Sequence, residues 1–153
     1  MSETLVIGVG NAYRGDDGAG IAAARKLAAQ RLPGVRVMEM NGEGTSLVEA
    51  WKDSTSVLLV DAVSSGAVPG TIHQFEAQAG PLPTGLEHRS SHSFGVAEAV
   101  EVARALGRLP PHLVVYGIEG KNFSPGRDLS PEVERAVGEV VSRLISEIKA
   151  LPN

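Results

Sequence analysis

Thr4-Leu5-Val6-Ile7-Gly8-Val9-Gly10-Asn11 is an apolar run that closes on two glycines, and Gly15-Asp16-Asp17-Gly18-Ala19-Gly20 then brings two carboxylates to the start of an alanine-rich segment. The first stretch reads as a strand over Thr4 to Val9. From Gly18 to Leu32, Ile21, Leu27, Ala28 and Leu32 recur on one side, the spacing of an amphipathic helix, and Pro33-Gly34 stops it. Val35 to Met40 reads as a second strand, Ser46 to Trp51 as a short helix, and Ser56 to Val60 as a third strand. The third is apolar at nearly every position, as in a strand buried on both faces. Strands alternating with helices predict an α/β domain with a parallel sheet.

Right-handed crossovers place strand two on one side of strand one. With strand three on the other side, the order reverses between strands one and three, and ligands bind in that crevice, beyond the carboxyl ends of the strands. Asp17 follows strand one and Asp61 ends the run Val57-Leu58-Leu59-Val60, so both stand at the rim. Gly66, Pro69 and Gly70 turn the chain into Thr71 to Phe75 through a connection too short for a parallel crossover, which predicts an antiparallel strand. Gln78 to Ser91 reads as a long loop, Ser93 to Leu106 as a helix, Leu113 to Ile118 as a fifth strand, and Pro131 to Ala150 as the last helix. Ser130 and Pro131 suit its N-cap and first turn.

The 153 residues fit one domain, Met1 to Asn153, large enough to bury roughly two thirds of the unfolded surface. Hydrophobic residues at 42% and charged residues at 21% place the chain among ordinary globular proteins, not disordered or fibrous ones. A net charge of -4 argues against a nucleic-acid partner or an anionic membrane surface. With no cysteine, disulfides, thiolate zinc sites and a cysteine nucleophile are excluded, and any metal must be held by oxygen and nitrogen. Met1-Ser2-Glu3-Thr4 lacks a basic leader, and no apolar run reaches membrane-spanning length, so a soluble, cytoplasmic protein is expected.

Asp17, Asp61 and His92 are the candidate site residues. Two acids and one imidazole suit a divalent metal of borderline softness such as nickel or zinc. Each also has an ordinary role open to it. Asp16 and Asp17 can cap the first helix, Asp61 can form an Asx turn at its strand end, and His92 can be satisfied by Ser91 and Ser93. His88 and His92 have zincin spacing, but the glutamate that motif needs is absent at Arg89. Gly8-Val9-Gly10 lacks the third glycine of a dinucleotide fingerprint, where Tyr13 stands. Tyr13 and Arg14 either contact a substrate or brace their loop, Glu43 has a solvated turn as its simplest reading, and His73 and His112 read as strand-edge residues.

Gly8-Val9-Gly10-Asn11 with Gly15-Asp16-Asp17-Gly18-Ala19-Gly20, then Val60-Asp61-Ala62, then Ser91-His92-Ser93-Phe94-Gly95, together resemble the nickel-iron hydrogenase maturation endopeptidases. Tyr116-Gly117-Ile118-Glu119-Gly120 and Leu129-Ser130-Pro131 extend the resemblance along the chain. It implies a three-layer α/β/α sandwich with a five-stranded mixed sheet of order 2-1-3-5-4, strand four antiparallel. It also implies an endopeptidase, of aspartyl or metal-dependent type, that trims a C-terminal extension from the hydrogenase large-subunit precursor after nickel insertion. By motif, its metal-contacting and catalytic residues fall on Asp17, Asp61 and His92. Nickel then comes with the substrate, none being tightly bound in the free enzyme, and Asp16 is a cap or an outer partner. The alternative is a non-catalytic, nickel-recognising maturation chaperone. Asn41-Gly42-Glu43-Gly44 and Phe94 depart from the common pattern at the edge of the cleft, where substrate selection would lie.

Overall fold

The computed structural model describes residues 3–41, 44–82 and 95–151. Its strands are β1 (Thr4–Val9), β2 (Val35–Met40), β3 (Ser56–Val63), β4 (Ile72–Glu76) and β5 (His112–Glu119), in the order β2-β1-β3-β5-β4. The first three and β5 are parallel, and β4 pairs antiparallel with β5. The expected order and the antiparallel fourth strand are both present.

Because side chains alternate along a strand, each strand feeds two cores. Val6, Leu58, Val60, Val114 and Ile118 pack toward α1 (Ala19–Ala28). On the other face Leu5, Ile7, Val57, Leu59 and Leu113 meet Leu47 and Trp51 of α2 (Gly44–Trp51) and Ala99, Val100 and Ala103 of α3 (Val96–Ala105). The long α4 (Pro131–Ala150) joins α1 on the first face through Val133, Val137, Val140 and Leu144. Helices thus cover both faces, which is why the central strands are apolar at successive positions.

Several boundaries move from those the sequence predicts. The first helix ends at Ala28, not Leu32: the amides of Gln30 and Arg31 bond three residues back, and Arg31 takes φ 52°. Leu32 precedes a proline, a position that disfavours helical backbone. β3 runs on to Val63, so Asp61 lies inside a paired strand opposite Gly117. This overturns the Asx-turn alternative, since ladder pairing with β5 keeps the backbone extended where the apolar run had seemed to stop. Helix α3 begins at Val96, with Glu98 accepting the Gly95 amide at 2.7 Å.

The start of α1 is pressed into the junction of β1 and β3. A Cβ built on Gly20 would collide with the carbonyl oxygens of Val60 and Val9, and one on Gly8 with the Gly20 carbonyl. Gly20→Ala is therefore expected to cost about 1–3 kcal/mol through overpacking against backbone that cannot yield. Gly138→Ala, in α4 where nothing lies within 4 Å of the added carbon, is expected to stabilise by roughly 0.4–1 kcal/mol. Urea unfolding midpoints of the two variants should move in opposite directions.

Candidate active site at the crevice between β1 and β3

A 3-10 turn, Gly15–Gly18, links the loop after β1 to α1 and carries both acids of the first motif. Neither acid caps α1, whose N-cap is Gly18 and has no side-chain cap. Asp16 is fully buried and serves a remote segment. Its Oδ2 accepts the amides of Lys121 (2.8 Å) and Asn122 (2.9 Å) and the Ser130 hydroxyl (2.8 Å), and its Oδ1 accepts the Ser130 amide (2.7 Å). Burial pushes the Asp16 carboxyl up, but these donors together outweigh it and hold it below the ordinary aspartate range. The Ser130 hydroxyl that the sequence assigns to the N-cap of α4 is spent here, and α4 has no side-chain cap.

The same seam is closed by backbone. Gly15 donates to Gly126 (2.8 Å), Gly126 to Tyr13 (2.8 Å) and Asp16 to Asn122 (2.8 Å). Tyr13 thus braces its loop through its main chain, while its exposed ring carries the Arg127 guanidinium 4.8 Å from its centroid. Asp16 is a fastener for the loop that holds its neighbour.

Asp17 is 3% exposed, and its Oδ2 accepts the Asn11 amide at 3.1 Å. Gly10, at φ 145°, lets the Asp17 backbone come against the end of β1, where a Cβ would collide with the Asp17 carbonyl. On the neighbouring strand Asp61 is 5% exposed, and its Oδ1 accepts the Ala62 amide at 2.8 Å. Since Gly8 pairs with Val60, the residues after Gly8 run alongside Asp61 and Ala62. Both carboxylates therefore stand at the carboxyl edge of β1 and β3, at the reversal of strand order. His92, His88, Ser90, Ser91, Ser93 and Glu43 lie outside the described residues. Among the described residues no three His, Asp or Glu side chains form a group able to hold a metal ion.

A further acid at this edge is Glu119, to which the sequence reading gives no role. It is 2% exposed at the end of β5 and accepts the Ser65 amide (2.8 Å) and hydroxyl (2.6 Å) and Nε2 of His73 (3.2 Å). The signal that marks Asp61 marks Glu119 as well: a carboxylate closing an apolar strand, here His112 to Ile118. His112 is tied to Glu147 of α4 at 3.1 Å, a link between elements and not a loose strand edge.

The family model of the HycI hydrogenase maturation proteases matches residues 21–147. The chain belongs to the hydrogenase maturation protease family. A putative hydrogenase maturation protease of Methanocaldococcus jannaschii is 32% identical over 96% of this chain and 97% of its own. The hydrogenase expression/formation protein HupD of Thiocapsa roseopersicina is 29% identical over 88% of this chain, which spans 62% of HupD. In structure the chain is similar to the hydrogenase maturating endopeptidase HybD of E. coli, with a TM-score of 0.80 at 22% identity over 96% of this chain and 92% of that one. It is also similar to the [NiFe] hydrogenase maturation protease HybD of Thermococcus kodakarensis, with a TM-score of 0.71 at 28% identity over 97% and 99% of the two chains. The relatives and neighbours named maturation proteases are hydrolases of the peptide bond. Among the described residues no helix is long and apolar enough to cross a membrane.

Proposed function

We propose that this maturation protease removes the C-terminal extension of a nickel-iron hydrogenase large-subunit precursor after nickel insertion, acting in the cytoplasm and reading the nickel that its substrate carries. The observation that supports this reading is the pair of buried carboxylates, Asp17 and Asp61, at the reversal point of a hydrogenase maturation protease fold. By the motif resemblance, His92 is the third donor of this reading. Three side-chain donors leave coordination positions open, so nickel can stay attached to the precursor while Asp17, Asp61 and His92 hold it. The metal then acts as a template that presents one peptide bond to the crevice, and the gain is orientation.

In this reading the two apolar cores carry the fold of the free protein, so a chelator is expected to leave its thermal unfolding unchanged. The decisive measurement is incubation with purified precursor in nickel-loaded and nickel-free forms. The loaded form should be shortened at its C-terminus and the nickel-free form should remain intact. Equal cleavage of both would remove the metal from the recognition step. Binding of the loaded form without shortening would make the protein a nickel-recognising chaperone instead.

A further inference from the structure

A second polar cluster lies at the carboxyl edge of the sheet, built on Glu119, Ser65 and His73, and the three-residue reading makes no use of it. Its order rules out a nucleophile triad, because the carboxylate stands between the serine and the imidazole. What remains is an imidazole oriented from behind by a buried carboxylate, the arrangement that fixes a working histidine's tautomer and ring plane.

The tautomer follows from the donors. Burial raises the Glu119 carboxyl, but the Ser65 hydroxyl and amide, His73 and the Gly66 amide outweigh it and keep the group below the ordinary glutamate range. An ionised carboxylate can only accept, so Nε2 of His73 carries the hydrogen, and in the tautomer this selects Nδ1 is the nitrogen that can accept. Phe75 stacks on the ring at 6.3 Å and 7°, holding its plane. Among the described residues the one hydrogen bond of the His73 side chain is through Nε2, so Nδ1 is the available acceptor.

The register places this acceptor. Asp61 pairs with Gly117 and Gly117 with His73, so the three form one row across β3, β5 and β4 on the same face. Two strand spacings separate the outer members, about 10 Å between Cα atoms; the middle member, Gly117, is buried with the Val63 side chain packed against it. An extended peptide passing above this row, across Val63, spans the distance from Asp61 to His73 in roughly three residues.

We propose that His73 is a substrate-contacting residue of this site, its Nδ1 accepting a hydrogen bond from a backbone N–H of the precursor peptide about three residues from the part held over Asp61. Glu119 is the positioning residue behind it. The inference rests on the processing role argued above.

The test separates substrate contact from tether. In His73→Gln the side-chain amide reaches the place of Nε2 and keeps the bond to Glu119, but nothing stands at Nδ1. His73→Asn offers an oxygen near Nδ1 and falls short of Glu119. With nickel-loaded precursor, His73→Gln is expected to raise KM about tenfold at near wild-type kcat and unchanged Tm. His73→Asn is expected to lower Tm while KM stays within about threefold of wild type. A His73→Gln variant with wild-type KM would leave His73 as a tether only and overturn the proposal. So would a KM rise in His73→Asn as large as in His73→Gln. Failure of the unaltered protein to cleave loaded precursor would instead take down the processing role and this contact with it.

Discussion

Asp17→Asn is expected to abolish precursor processing, with a fall in kcat/KM on the order of a thousandfold or more, while the fold stays intact. In the proposed reading the substitution removes an anionic metal donor, and it changes almost no volume. The amide oxygen of asparagine can still accept from Asn11, as Oδ2 of Asp17 does now, so Tm should move by no more than a few degrees. Asp61→Asn should behave alike, because its remaining oxygen can still take the Ala62 amide. Loss of the ability to orient a metal-tagged bond accounts for the size: effective molarities for well-oriented groups are worth several kcal/mol of barrier, and about 4 kcal/mol is a thousandfold. The measurement is the rate of large-subunit shortening beside a thermal melt of each variant. Full activity in Asp17→Asn would reduce Asp17 to a loop residue and remove it from the site.

The opposite profile is expected one residue earlier. Asp16→Ala leaves three backbone amides and one hydroxyl without their acceptor in a fully buried place, at a cost of roughly 3–5 kcal/mol. That is a large share of the 5–15 kcal/mol that holds an ordinary domain together. Asp16→Asn should cost less, since one oxygen can still serve the donors now on Oδ2, while its NH2 faces the Ser130 amide. The contribution of Asp16 also has a defined pH window. Its native pKa lies below the 3.8 of an unperturbed aspartate, so its stabilisation is whole above that value and is lost as the pH falls through the lowered native pKa. Glu119, held below 4.5, adds a loss of the same sign. Urea unfolding at about pH 7 and about pH 3 should therefore show the gap between wild type and Asp16→Asn narrowing in acid. A gap that does not narrow would mean that Asp16 is not ionised in the native protein.

By itself the sequence determined the parts whose signal is local. The apolar run Thr4 to Val9, the strand Val35 to Met40 and the helix Pro131 to Ala150 lie where periodicity and end signals put them. Asp61 is marked by its own strand, because a carboxylate closing an apolar run must be accounted for wherever the strand lies. The antiparallel β4 follows from a connection too short to cross over.

What the tertiary structure decided is where partners far along the chain meet. Asp16 and Asp17 are neighbours of the same type, and no local rule separates them. Only the arrival of Lys121, Asn122 and Ser130, more than a hundred residues later, makes one a fastener and leaves the other at the crevice. The same distance hid the destination of the Ser130 hydroxyl, since an N-cap rule weighs only the next three residues. β3 continues past Val60 because β5 pairs with it as far as Glu119, a lateral bond that no single strand encodes. His73 reads as an edge residue until the register sets it in one row with Asp61, and Glu119 gains its partners only when β3, β4 and β5 lie side by side. Propensity and periodicity act over a few residues, whereas buried polar groups are satisfied by whatever the completed sheet brings within about 3 Å.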